Sequence, residues 1–224
     1  MCGRFVLFSE SLLDSVGALE GIEEVSAPAG LPGPRYNIAP TQKVPVVRIQ
    51  EAYAQVDPGR WALLPHWKKD LDGPPLFNAR AETVQKKPSF RDAFAGRAGS
   101  GRCLIPMDGY YEWHDDGTGK MPYYVRLGDG QMMWAAGLWA TGLDQLSATI
   151  VTTAATEEMA WLHDRLPRFL APEEIRQWAE GTQEEAAELL HPSPVTGWQV
   201  DQVAKEVGNI RNDYPELLPQ GAGA

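Results

Sequence analysis

The chain is poor in cysteine: 224 residues hold only Cys2 and Cys103. Two such thiols make no disulfide framework, and they fit a reducing, cytoplasmic compartment. The four histidines, His66, His114, His163 and His191, fall into none of the spacings of a zinc site. No metal and no other cofactor is therefore expected. No apolar run approaches the roughly 20 residues of a membrane span. The start MCGRFVLFSE lacks the long apolar stretch of a secretory signal, so no membrane partner is expected. Internal repeats, low-complexity tracts and linkers are also missing. One compact domain over residues 1–219 is expected, with a frayed tail over 220–224.

Positive charge is scarce overall, and the formal net charge is −10. Taken globally this argues against a nucleic-acid binder. Its distribution argues the other way. Residues 60–102 carry nine basic side chains (Arg60, Lys68, Lys69, Arg80, Lys86, Lys87, Arg91, Arg97, Arg102) against four acidic ones, a local net of +5. Phosphate responds to local potential, and an acidic remainder limits indiscriminate sticking. Trp61, Trp67, Phe77 and Phe90 are interleaved with these cations. Stacking aromatics beside phosphate-tracking cations suit single-stranded nucleic acid, although such aromatics are also ordinary core residues.

What is present at the start is unusual. Cys2 follows the initiator methionine, and a residue this small permits removal of Met1. The mature chain then begins with an amine and a thiol on adjacent carbons. That 1,2-aminothiol condenses with an aldehyde through nitrogen and closes a thiazolidine ring through sulfur. Reference pKa values of about 7.7–8.0 for the amine and about 8.5 for the thiol leave usable fractions of both nucleophiles near neutral pH.

Strands are predicted over 44–49, 52–56, 109–113, 123–127, 131–138 and 147–152 from their β-branched, aromatic or alternating residues. Residues 115–120, DDGTGK, form a turn between two of them. Helices are predicted over 9–20, with Ser9 or Ser11 as cap, and over 89–95, 157–162, 172–179 and 183–190. Residues 27–35 read as a Pro/Gly-rich loop. Many short strands without βα alternation give an α+β class with a mainly antiparallel, barrel-like core and short surrounding helices.

Three polar clusters sit against apolar neighbours. In Phe77-Asn78-Ala79-Arg80-Ala81-Glu82, Asn78 and Arg80 share one face of an extended strand, an amide for a sugar or base edge and a guanidinium for a phosphate. In Pro106–Trp113, Glu112 lies between Tyr111 and Trp113, where desolvation makes a carboxyl group a general acid or base. The opposite outcome is a solvent-facing Glu112 on a strand whose aromatics point inward. In Trp161–Pro167, His163 beside Asp164 and Arg165 is a candidate proton shuttle.

Taken in order, MCGRF, RYNIAPTQ (35–42), FNARAET (77–83), RCLIPMDGYYEW (102–113), IVTTAA (150–155), HDRLP (163–167) and VGNIRN (207–212) resemble the SRAP family, the SOS-response-associated abasic-site processing proteins. The resemblance spans nearly the whole chain. It implies a DNA-damage function in which Cys2 forms a covalent thiazolidine with the aldehyde of an abasic site in single-stranded DNA. It also implies that Asn78 positions the sugar and the Cys2 terminus, that Glu112 moves protons, and that His163 assists ring opening and Schiff-base chemistry. Arg4, Arg80 and Arg165 would hold phosphates with Thr152 nearby. Pro40 and Trp67 would supply the stacking or wedge surface for a kinked strand or a junction with duplex; Phe90, from the aromatics among the cations, is a further candidate DNA contact. A monomer is expected. One departure concerns Pro65-His66-Trp67-Lys68-Lys69, where some relatives carry two tryptophans and this chain has Lys68. Two other readings stay open: an N-terminal-nucleophile peptidase or amidohydrolase, including self-removal of Met1, and a passive single-strand binder.

Overall fold

A computed structural model of the chain describes residues 2–117 and 119–222. In chain order its strands are β1 (Arg4–Leu7), β2 (Glu24–Ser26), β3 (Arg35–Ile38), β4 (Lys43–Gln50), β5 (Tyr53–Trp61), β6 (Asn78–Arg80), β7 (Ser100–Met107), β8 (Gly109–Asp115), β9 (Lys120–Leu127), β10 (Met133–Gly142), β11 (Gln145–Ala154), β12 (Arg165–Pro167) and β13 (Trp198–Gln202). The helices are short: α1 (Leu12–Gly17), α2 (Ala81–Val84), α3 (Arg91–Phe94), α4 (Ile175–Glu180) and α5 (Gln183–Glu188).

Strands β11, β10, β7, β4 and β5 follow one another by antiparallel pairing. A short parallel contact, Ser147 with Arg60 and Ala148 with Trp61, returns β5 to β11 and closes a five-stranded ring. Closure removes free strand edges and buries one face of every member. Beyond the closure point β6 takes over parallel to β11, with Asn78 beside Ile150 and Arg80 beside Thr152. A second sheet runs β13-β9-β8-β1-β3. The strand period of two splits its faces. Phe5 and Tyr110 enter the main core with Cys2 and Trp61, while Val6, Tyr111 and Tyr124 form a smaller core on the other side. The result is the expected single α+β domain, mostly strands in a barrel-like ring with a few short helices.

Several predicted elements change. The helix over 9–20 is confined to α1; Ser11 takes the cap position without a side-chain bond, and Ser9 instead bonds Asp108. The helix over 157–162 is a chain of turns, with Met159 N–H donating to Thr156 O and Leu162 N–H to Met159 O, each at 3.0 Å. Both bonds span three residues, so the spacing that buries Met159 and Leu162 mimics a helix without building one. The helix over 89–95 shrinks to α3, and that over 172–179 opens as a 3₁₀ turn at Pro172–Glu174 before α4. The turn over 115–120 joins β8 to β9, with Thr118 outside the described residues, as are residues 223 and 224 of the expected tail.

Gly109 shows how tightly the second sheet is packed. A Cβ there would lie 2.3 Å from the buried ring of Tyr124. Gly109→Ala is predicted to lower the unfolding free energy by about 1–3 kcal/mol through overpacking. A denaturant midpoint equal to that of the parent would contradict this packing.

Candidate functional site

Cys2 precedes β1 and is fully buried in the main core. Burial pushes its thiol well above the usual range, and the nearby charge of Glu112 pushes it further. Its Sγ lies 3.8 Å from the Arg4 carbonyl. Asn78, the first residue of β6, donates from Nδ2 to the Cys2 carbonyl oxygen at 2.8 Å. That bond ties β6 to the residue that leads into β1. The other amide atom, Asn78 Oδ1, is buried and has no hydrogen-bond partner among the described residues.

Glu112 is 5% exposed. On β8 it shares the inward face with Tyr110, two residues earlier, so the solvent-facing alternative does not hold. One carboxylate oxygen accepts from the Trp113 amide at 3.2 Å. Tyr110 reports the same crowding: burial raises its phenol far above the usual value, with Cys2 and Glu112 adding to the shift.

His163 ends the turn segment between β11 and β12. Its Nδ1 lies 3.0 Å from the Arg165 amide nitrogen and 2.7 Å from Asp164 Oδ1. One ring nitrogen cannot serve both in the same protonation state. With Nδ1 bare the ring accepts from Arg165, and with Nδ1 protonated it donates to Asp164.

The predicted phosphate ligands separate into two kinds. Arg80 is exposed at the end of β6, with exposed Lys86 and Lys87 just beyond α2. Arg165 instead meets Glu82 through two bonds of 3.0 Å, and it also donates to the Thr152 carbonyl at 2.6 Å. That partner holds the Glu82 carboxyl below its usual range. Thr152 is fully buried, so it orients Arg165 and offers no surface of its own. Arg4 donates to the carbonyls of Val207 at 2.8 Å and Gly208 at 3.2 Å, and to Asn37 Oδ1. Asn37 Nδ2 meets the carbonyls of Val207, Asn209 and Asn212. The motifs around Asn37 and Val207–Asn212 thus form one clamp that fastens the C-terminal segment over β1 and β3. Nothing in the local sequence signalled this clamp.

Among the aromatics, Trp67 is 49% exposed, and Pro40 is half-buried in the turn before β4. Lys68, beside Trp67, is tied to the Asp72 carbonyl at 2.7 Å. Phe90 is 3% exposed and, like Trp61, belongs to the core, so it offers no stacking face. Arg102, counted in the basic segment, donates to the carbonyls of Trp178, Phe94 and Gly181 and braces α3 and α4. A groove of about 600 Å³ lined by Met132, Trp134, Phe169 and Val195 contains none of the predicted site residues.

Comparison with known proteins identifies the family. The family described as SOS response associated peptidase (SRAP) matches residues 1–210. The chain is 35% identical over 228 residues to abasic site processing protein YoqW of Bacillus subtilis, covering 97% of this chain and 99% of that one. It is 33% identical to abasic site processing protein YedK of Escherichia coli, with the same coverage. A crystal structure of a Bacteroides thetaiotaomicron protein superposes with a TM-score of 0.80 at 22% identity, over 96% of this chain and 98% of that one. That likeness concerns the fold, whereas the profile and the sequence identities concern descent: the chain belongs to the SRAP family.

Proposed function

We propose that this protein processes abasic sites in single-stranded DNA by forming a thiazolidine crosslink through Cys2 once Met1 is removed. Relatives named abasic site processing proteins support the substrate class. The observation that carries the chemistry is the Asn78 amide on the Cys2 carbonyl at 2.8 Å, with Glu112 buried close to the thiol. The amide holds the residue that carries the new α-amine, and the nearby carboxylate is the acceptor we assign to the thiol proton.

The steps balance without an oxidant. The Cys2 amine adds to the open-chain sugar aldehyde, and loss of one water gives an iminium. The Cys2 sulfur then adds to the same carbon while its proton passes to Glu112. The thiol is buried and protonated, so the amine acts first and the carboxylate is needed for closure. With Nδ1–H on Asp164, doubly protonated His163 gives its Nε2 proton to the sugar ring oxygen as the ring opens, and the anomeric hydroxyl loses its own proton to water. Asn78 Oδ1 accepts from the amine or the sugar.

Arg80 and its lysine neighbours supply the phosphate contacts, Arg165 joins them when DNA draws it from Glu82, and Arg4 shapes the site through the clamp it holds. Trp67 and Pro40 offer the stacking or wedge surface. The direct test incubates the protein with an oligonucleotide bearing one abasic site and separates the products on a denaturing gel. A heat-resistant shifted band is expected with single-stranded substrate, and its absence would overturn the reading. Glu82→Gln is predicted to free the Arg165 guanidinium and remove a repulsive charge. DNA affinity then rises roughly two- to fivefold, and the salt dependence steepens by about one ion. An unchanged salt slope would confine Arg165 to a structural role.

A further inference from the structure

Trp161 is unexplained by the chemistry above. It is 48% exposed, yet the residues around it are firmly anchored. Met159 and Leu162 are buried in the core, and the Ala155 amide donates to the Asp164 carbonyl at 2.9 Å to close the segment. The indole itself is braced by two rings of the other sheet. It stands edge-on to His114 at 5.5 Å and to Tyr123 at 5.3 Å, and those two rings are 6.4 Å apart at 78°.

These rings have a particular address. Tyr123 lies directly across the β8–β9 ladder from Glu112. His114 follows Glu112 by two residues on the same face of β8. Trp161 precedes His163 by two residues. The aromatic group thus joins the β11–β12 connection, which also carries His163, to the β8–β9 hairpin, which carries Glu112. The exposed cation, Arg80, lies in β6, beside Thr152 of β11.

We propose that Trp161, backed by His114 and Tyr123, is a stacking platform for the nucleobase next to the abasic sugar. This rests on the DNA reading above and adds a specificity element to it. A nucleotide without its base leaves the neighbouring base with no stacking partner on that side. A rigid, half-exposed indole beside the sugar-binding groups replaces that partner, and it does so for any base because every base presents a π-face. The platform favours a sugar flanked by a base over one flanked by another baseless position.

The test uses oligonucleotides with one abasic site whose neighbour, on one side or the other, is 2-aminopurine or a stable tetrahydrofuran spacer. For the parent protein, crosslinking at subsaturating concentration is expected to be roughly five- to hundredfold faster with the base than with the spacer on one side. The 2-aminopurine emission on that side should be quenched on binding. Trp161→Ala should bring the base-flanked rate down to the spacer rate and remove the quenching, and Trp161→Phe should restore part of both. Equal slowing of both substrates by Trp161→Ala, or quenching that survives it, would overturn the platform. Reaction of the parent protein with 2-deoxyribose 5-phosphate, which has no neighbouring base, keeps the two proposals distinguishable. No adduct there defeats the crosslinking reading, whereas an adduct there with no base-dependent Trp161 effect on DNA defeats the platform alone.

Discussion

Cys2→Ala is expected to yield no heat-stable adduct with abasic single-stranded DNA, while borohydride still traps an imine. The alanine variant keeps an α-amine after loss of Met1, so carbon–nitrogen bond formation survives. What it loses is the sulfur that converts a hydrolysable imine into a ring. Cys2→Ser keeps nearly the same volume but buries a hydroxyl, so its unfolding midpoint is compared with that of the parent to separate loss of sulfur from loss of folding. Its hydroxyl closes a much less stable ring, and its adduct should disappear on heating. A glutamine inserted between Met1 and Cys2 blocks methionine removal, destroys the 1,2-aminothiol and should abolish the heat-stable product. Denaturing gels with and without borohydride separate these outcomes. An equally stable adduct from the serine variant would contradict the thiazolidine.

Glu112→Gln is expected to slow crosslink formation by roughly 10²–10⁴, the usual contribution of a positioned acid or base. The sign of this effect is informative. After burial, the Glu112 charge is the next cause that raises the Cys2 thiol. Were repulsion its whole effect, the glutamine variant would hold more thiolate and react faster. Slower reaction, with the borohydride-trappable imine accumulating, identifies a carboxylate that takes the thiol proton during ring closure. Single-turnover rates with excess protein measure this directly, and acceleration would remove Glu112 from the proton path.

The sequence disclosed the barrel better than it disclosed the site. Strands such as β4 and β11 carry alternating or continuous β-branched residues, and their pattern alone marks them. By contrast β6 and β12 are three residues long and exist only because β11 pairs with them. No local pattern marks such strands, although β6 carries Asn78. The segment 157–162 reads as a helix because the spacing of Met159 and Leu162 is common to a helix and to successive tight turns. The motifs put Cys2, Asn78, Glu112 and His163 forward, yet their contacts join positions far apart in the chain. The cations show the limit most plainly. Arg4, Arg80, Arg102 and Arg165 look alike in sequence; only the fold reveals that Arg102 braces helices, that Arg4 holds the C-terminal clamp and that Arg165 faces Glu82. Phe90 and Trp67 likewise differ in burial, which a list of aromatics among lysines does not separate.

The central claim is that a single residue contributes both nucleophiles, and the chain's two cysteines make this countable. The adduct is denatured, alkylated with iodoacetamide, digested, and its N-terminal peptide weighed. The account predicts a peptide without Met1, joined to the sugar with loss of one water, in which Cys2 carries no alkyl group while Cys103 is alkylated. An alkylated Cys2 in the crosslinked peptide, or a crosslinked peptide that retains Met1, would contradict it.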